Sequence, residues 1–351
     1  MGGAPGSGGA GVGGATGVGG APGSGGRPGS GGAPGSGGAT GAGGGACSNT
    51  PPPAGTLVGW ATQNGGTTGG GSAAPVTVTT QADFTSNIAG TAARVIYLRG
   101  SFTGTFSIGS NKTIVGLCGA RLTGHVSLSR SANVIVRNLT IVGNNCADSP
   151  ADCSGGADAV TIGDTSHNVW FDHDDIYDGS DGNLDITSGA DFVTISYTKF
   201  HYSTRRTDPL AGASGHRFSN LIGSSDTTLT DAGHLNVTFH HDWWADNVDQ
   251  RMPRTRFGRI HVFNNLFTAA GNSYCTNAGI MTSVLVENNV YNGVNRPLAP
   301  DANGDMKAQG NLYVGTTAVT TTGTGFMPPY PYTLDDTAGL QATLMAEVGP
   351  H

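Results

Sequence analysis

Short stretches in which apolar and polar residues alternate recur along the chain: NVIVRNLTI, NVWFDHDDIY, FVTISYTKF, HRFSNLIG, NVTFHHDWW, IHVFNNLF, VLVENNVY and MKAQGNLYV. A period of two over such lengths predicts half-buried strands rather than helices. Aligned on a polar residue near the end of each stretch, they give a column of Asn138, Asp175, Thr198, Asn220, Asp242, Asn265, Asn289 and Asn311. The successive intervals are 37, 23, 22, 22, 23, 24 and 22 residues, so six of the seven share one length. A unit of about 22 residues is too short for a strand-helix-strand crossover and fits one coil of a parallel β-helix. The column then stacks inside the solenoid, each side chain bonding the next, and serves the fold rather than chemistry. The 37-residue interval holds an insertion. A β-sandwich would need hairpin signals between neighbouring strands, and few are present. Near the C-terminus, DDTAGLQATLMAEVG predicts a short helix over the open end of the coil.

Composition divides the chain near residue 47. Residues 1–46 hold 24 glycines, with Arg27 as the one charge, and so have almost no apolar area to bury. They are expected to form a Gly/Ala/Ser/Pro-rich flexible linker, leaving 47–351 as one folded domain. A net charge of −7 argues against a nucleic-acid partner, which would need an excess of Lys and Arg on its binding face. No apolar run reaches the ~18 residues of a membrane span. No signal peptide follows Met1, so a secreted location assumes a removed or omitted leader. Five cysteines are present, and Cys146 and Cys153 flank the loop NCADSPADCS as a candidate local disulfide.

Coil length brings three aspartates together. Asp158 and Asp181 differ by 23 residues, one coil, and Asp181 and Asp185 share a turn in DGNLD. Three converging carboxylates with no nearby Lys suit a hard cation such as calcium. Asp is also a common turn residue, as Asp172, Asp174 and Asp178 show, so spacing alone leaves both readings open. The stretch from Gly233 to Asn265 carries Arg251, Arg254, Arg256 and Arg259 between two strand-like segments. Counted from the column, Arg251 and Asp185 fall at a similar azimuth about three turns, ~14 Å, apart. With Arg256 and Arg217 they predict a groove with calcium at one end and guanidinium groups at the other, suited to an acidic sugar chain. His173, His240, His241 and His261 lie within strands and lack zinc-ligand spacing, which assigns them to structure. Trp243 and Trp244 read as packing residues.

The blocks DAVTIGDTSHNVWFDH (158–173), DGNLDITSGADFVTISYTKF (181–200), HRFSNLIGSSD (216–226), GHLNVTFHH (233–241) and RMPRTRFGRIHVFNN (251–265) resemble the signature blocks of the pectate lyase family. GWATQNGGTTGG, VIYLRGSF and SNKTIVG resemble its N-terminal region, so the likeness runs over roughly 56–335. It implies an all-β fold, a right-handed single-stranded parallel β-helix whose long loops form a substrate groove. It also implies that Asp158, Asp181 and Asp185 bind calcium, that Arg251 is the catalytic base and that Arg256 contacts substrate. The family usually has a Lys before its Leu-Ile-Gly block. Here Arg217 stands nearest that place, one residue out, with Arg205 and Arg206 as rivals in an inserted stretch. The implied activity is calcium-assisted β-elimination of polygalacturonate by a monomeric enzyme. Its alternatives are a pectin lyase acting on methylated polymer and a non-catalytic carbohydrate-binding solenoid.

Overall fold

The computed structural model describes residues 50–144, 157–204 and 216–351. The expected linker, the Cys146–Cys153 pair, Arg205 and Arg206 lie outside them. The described chain winds as a right-handed parallel β-helix of 23 strands. Every strand pairing among the described residues is parallel, and three faces repeat coil after coil. The first face stacks Ala132–Arg137, His167–Asp172, Asp191–Ser196, Val237–His240, Arg259–Phe263, Ser283–Glu287 and Asp305–Gln309. The second runs from Thr140–Val142 through Asp175–Tyr177, Lys199–His201 and Trp243–Trp244 to Leu312–Val314. The third carries Val160–Gly163, Leu184–Ile186, Leu221–Ile222, Arg254–Thr255, Thr276–Ala278 and Leu298–Pro300.

In-register stacking lets like side chains meet. On the second face Phe200, Trp244, Phe267, Tyr291 and Tyr313 stack with ring centroids 5.6, 4.7, 4.4 and 5.4 Å apart. Between the first and second faces the backbone turns through a residue with positive φ: His173, Tyr197, His241, Asn264 and Asn288. The next residue in each case forms the interior ladder. Leu139 N–H donates to Asp174, Thr198 N–H to Asp242, Asp242 N–H to Asn265, Asn265 N–H to Asn289, and Asn289 N–H to Asn311.

The ladder corrects the predicted column in three places. Asn138, at a φ of +60°, is a corner residue, and Leu139 takes the rung position. Asp174, not Asp175, is the stacked residue. Asn220 is not a rung. Thr198 bonds Asp242 directly, 44 residues on, so one long coil stands where two of 22 were expected. Asn220 lies instead at the start of the third face, between Trp244 Nε1, which it accepts at 2.8 Å, and the Leu184 carbonyl.

The helix that packs against the first coils is Gln81–Ile88, which sequence periodicity missed. It buries only Phe84 and Ile88, against Phe102 and Phe106 among others. The C-terminal helix is present at Leu340–Glu347, but it packs on the flank rather than the end. Leu340 and Leu344 rest on Leu266 and Val290 of the second face. Cys118 is disulfide-bonded, and Cys275 is free, buried and raised in pKa by that burial.

Candidate active site

The third face and the loops around it gather the predicted residues. Asp158 sits just before the strand Val160–Gly163 and Asp185 within Leu184–Ile186, where its neighbour across the ladder is Thr161. Thr161 Oγ1 donates to Asp158 Oδ2 at 3.0 Å, and Leu221 N–H donates to Asp185 Oδ1 at 2.9 Å. Asp158 Oδ1 is buried and has no hydrogen-bond partner among the described residues. Gly182 shows how closely the carboxylates converge, since a Cβ there would stand 2.9 Å from Asp158 Oδ1 and 3.1 Å from Asp185 Oδ1. A side chain at 182 would fill the space between them.

Electrostatics expose the tension in this pair. Burial, and then the charge of Asp181, push the Asp158 carboxyl up to about 7. Burial and the charge of Asp158 push Asp185 well above the usual carboxylate range. Arg251 pulls both the other way, so its guanidinium is felt by both acids. Two acids that repel one another in a buried site are stabilised as anions by added positive charge. The donors are hard oxygens, which suit a calcium ion. Asp181 stands farther out, its side chain 50% exposed and Oδ1 3.7 Å from His216 Nε2. Among the described residues no group of three acid, His or Cys side chains is drawn to metal-holding distance. The expected trio is thus a close pair with Asp181 at its rim.

Register corrects the position of Arg251. Ile186 pairs with Ile222, and Ile222 with Thr255, so Asp185 and Arg251 are two coils apart, about 10 Å, not three. Arg251 also falls short of the azimuth of Asp185. Its carbonyl accepts Asn220 N–H at 2.6 Å, and the preceding Gln250 bridges to Phe218. The guanidinium lies 4.1 Å over the Phe218 ring, with Nε buried and unpaired among the described residues. A φ of +64° turns the chain here before Met252, which is fully buried.

Arg256 and Arg217 are held differently. Arg256 Nε donates to Asp226 at 2.6 Å and its Nη1 to the Gly223 carbonyl at 2.7 Å. Arg217 Nε donates to the Asn247 carbonyl at 2.7 Å, and its Nη2 lies 3.8 Å from Asp249. Both are nearly buried, each braced by an aspartate. Sequence reading passed over Tyr274. Burial raises its phenol while Arg254, Arg251 and Arg256 oppose the shift, which puts it among the three arginines. Its only sequence signal is a position one coil beyond them.

A cavity of about 560 Å³ lies elsewhere, beside the first face, with His173, Tyr197, His240 and His241 in its wall. These side chains form stacked corners and internal bonds: His173 to Asp172 at 3.0 Å, His241 to Asp335 at 3.1 Å. His261 is buried between Glu287 and Tyr330, 3.0 Å from each. Trp244 is buried in the aromatic stack, and Trp243 packs under Lys199 and against the C-terminal helix.

Comparisons with known proteins agree with one another. The model of a family described as pectate lyase matches residues 47–327. Pectate lyase A of Aspergillus niger is 34% identical over 304 residues, 83% of this chain and 86% of its own length. The pectate trisaccharide-lyase of Bacillus licheniformis is 28% identical over 319 residues, 84% of this chain and 86% of its own. In fold, a pectate lyase from Bacillus sp. N165 solved in complex with trigalacturonate superposes with a TM-score of 0.68 at 23% identity, covering 84% of this chain and 99% of its own. With a match that long and a relative that similar, the chain belongs to the pectate lyase family.

Proposed function

We propose that the protein is a pectate lyase that cleaves 1,4-linked α-D-galacturonan by calcium-assisted β-elimination, releasing 4,5-unsaturated oligogalacturonides. The observation that carries this reading is the pair of buried acids around Gly182, one oxygen unpartnered, under the charge of Arg251. Asp158 and Asp185, with Asp181 at the rim, are the residues that would hold calcium. Bound there, the ion supplies positive charge to a substrate carboxylate, which acidifies the adjacent C5–H. Arg251 takes that proton. The C5–H electron pair forms the C4–C5 double bond, the C4–O4 bond breaks, and O4 departs with its sugar chain and is protonated from solvent. Water is not added across the bond.

Arg256 and Arg217 are assigned to substrate carboxylates, with Asp226 and Asp249 fixing their guanidinium planes. Guanidinium groups keep their proton up to about pH 12 or beyond, so an arginine base favours an alkaline optimum. No helix among the described residues is long and apolar enough to cross a membrane. We assign the enzyme to the extracellular space as a monomer, where polygalacturonate is met, with residues 1–46 as its tether.

Ultraviolet absorbance of the unsaturated product tests this. Polygalacturonate should give calcium-dependent product, stopped by chelator, and Arg251→Ala should lower the rate by about 10²–10⁴ without altering the melting temperature. Chelator-insensitive turnover, or faster turnover of methylated pectin, would assign a pectin lyase. Polymer binding with no product would assign a non-catalytic solenoid.

A further inference from the structure

Arginines on this side of the coil fall into two groups. Arg217 and Arg256 are tied to aspartates and carbonyls. Arg254 and Arg296 line a polar pocket of about 220 Å³, and neither guanidinium has a hydrogen-bond or ion-pair partner among the described residues. The pocket is built by register. Arg254 pairs with Asn277 and Asn277 with Ala299, so three successive coils of the third face supply a cation, an amide and a small floor. Asn277 Nδ2–H donates to the Ala299 carbonyl at 2.6 Å, which fixes the amide, while Oδ1 is buried without a partner among the described residues. Tyr274 forms part of the wall and links the pocket to Arg251, and Asp301 is the only acid among the described residues of its lining. Two cations against one acid leave the lining net positive.

We propose that this pocket is a further carboxylate-binding subsite, which takes one uronate unit of the same polymer one to two coils beyond Arg251. The inference rests on the pectate lyase reading for the identity of the polymer. The volume is below the ~300 Å³ at which drug-sized sites begin, and suits a single sugar ring. Arg254 and Arg296 meet the carboxylate, a planar bidentate acceptor that matches guanidinium donors. Asn277 and Tyr274 offer an acceptor and a donor to ring hydroxyls. A methyl ester on that unit would forfeit the ionic contacts, so the pocket selects de-esterified chain at a distance from the bond being cut.

The test uses the full chain with calcium present, calorimetric binding of trigalacturonate and hexagalacturonate, and steady-state rates on polygalacturonate. Wild type should bind the hexamer more tightly than the trimer. Arg296→Gln, at an exposed position, should weaken hexamer binding about tenfold and erase most of that preference. On polymer the same variant should raise KM with kcat retained, the mark of binding shared by ground and transition states. Arg254→Gln should do likewise, with melting curves confirming that both variants fold. Hexamer binding within about twofold of wild type in both variants would overturn the subsite. If wild type turned over polymer in that case, the lyase reading would stand without it. If wild type bound hexamer through Arg296 yet formed no product, the subsite would stand and the lyase reading would fall. If wild type bound neither oligomer, both would fall.

Discussion

Two sets of aspartates are withdrawn from solvent in this coil and do opposite things. Asp174 and Asp242 are rungs of the interior ladder, and burial raises both carboxyls well above their ordinary range. Asp158 and Asp185, around Gly182, are raised for the same first reason. What separates the sets is the neighbour. Each rung faces backbone N–H groups and sits in line with Asn265, Asn289 and Asn311, whose neutral amides it imitates. For each site acid the strongest influence after burial is the charge of a second acid, where for each rung it is a backbone N–H, with the charge of Asp172 behind it. Oδ2 of each rung is buried without a partner among the described residues, and a proton on it would leave the rung neutral. On the proposed reading, the site pair is complete as anions that share a cation.

Replacement by asparagine keeps shape and removes charge, so it divides the sets most sharply. Asp185→Asn should abolish calcium-dependent turnover of polygalacturonate, a loss of at least about 10². Asp242→Asn should leave the rate near wild type. Equal losses in the two variants would show that burial, not the charged pair, is what matters, and would break the comparison.

A thermodynamic version needs no substrate. Calcium that binds the folded chain alone raises its stability by about 2.7 kcal/mol at a hundredfold excess over Kd. Thermal melts of wild type should therefore rise with added calcium, those of Asp158→Asn and Asp185→Asn should not, and Asp242→Asn should follow wild type. Without metal, Asp185→Asn should match or exceed wild type, because it relieves repulsion between the two acids. A calcium response that survives both site substitutions would place the ion elsewhere.

The sequence disclosed the rungs and the site acids unequally. Asn265, Asn289 and Asn311 were legible because their coils are ordinary, 24 and 22 residues between rungs. Asn220 misled because a coil of 44 residues halves to the common period. That accident also added a turn between Asp185 and Arg251, so the residues of the site were legible while their separation was not. Helix Gln81–Ile88 left too faint a pattern, with two buried residues in eight. Arg254 was visible as one of four arginines. Nothing in its neighbours along the chain marked it, because its pocket partners Asn277 and Arg296 come from later coils.

The smallest expected effect tests the ladder half of the comparison. The folded carboxyl of Asp242 holds its proton to higher pH than the unfolded one, which releases it near pH 3.9. As pH rises from about 3.9 toward the folded value, the unfolded state therefore gains relative to the folded state, and Asp242 costs stability. Asn at 242 does not titrate, and its amide can donate as Asn265 Nδ2–H does to the Phe239 carbonyl. Asp242→Asn should thus be at least as stable as wild type near neutrality, by about 1 kcal/mol. The advantage should shrink as pH falls and vanish below about 3.9, where both states of wild type carry the proton. Chemical denaturation of the two proteins across that range measures the difference. A variant less stable at neutral pH, or a gap that does not change with pH, would mean that Asp242 is a charged rung after all.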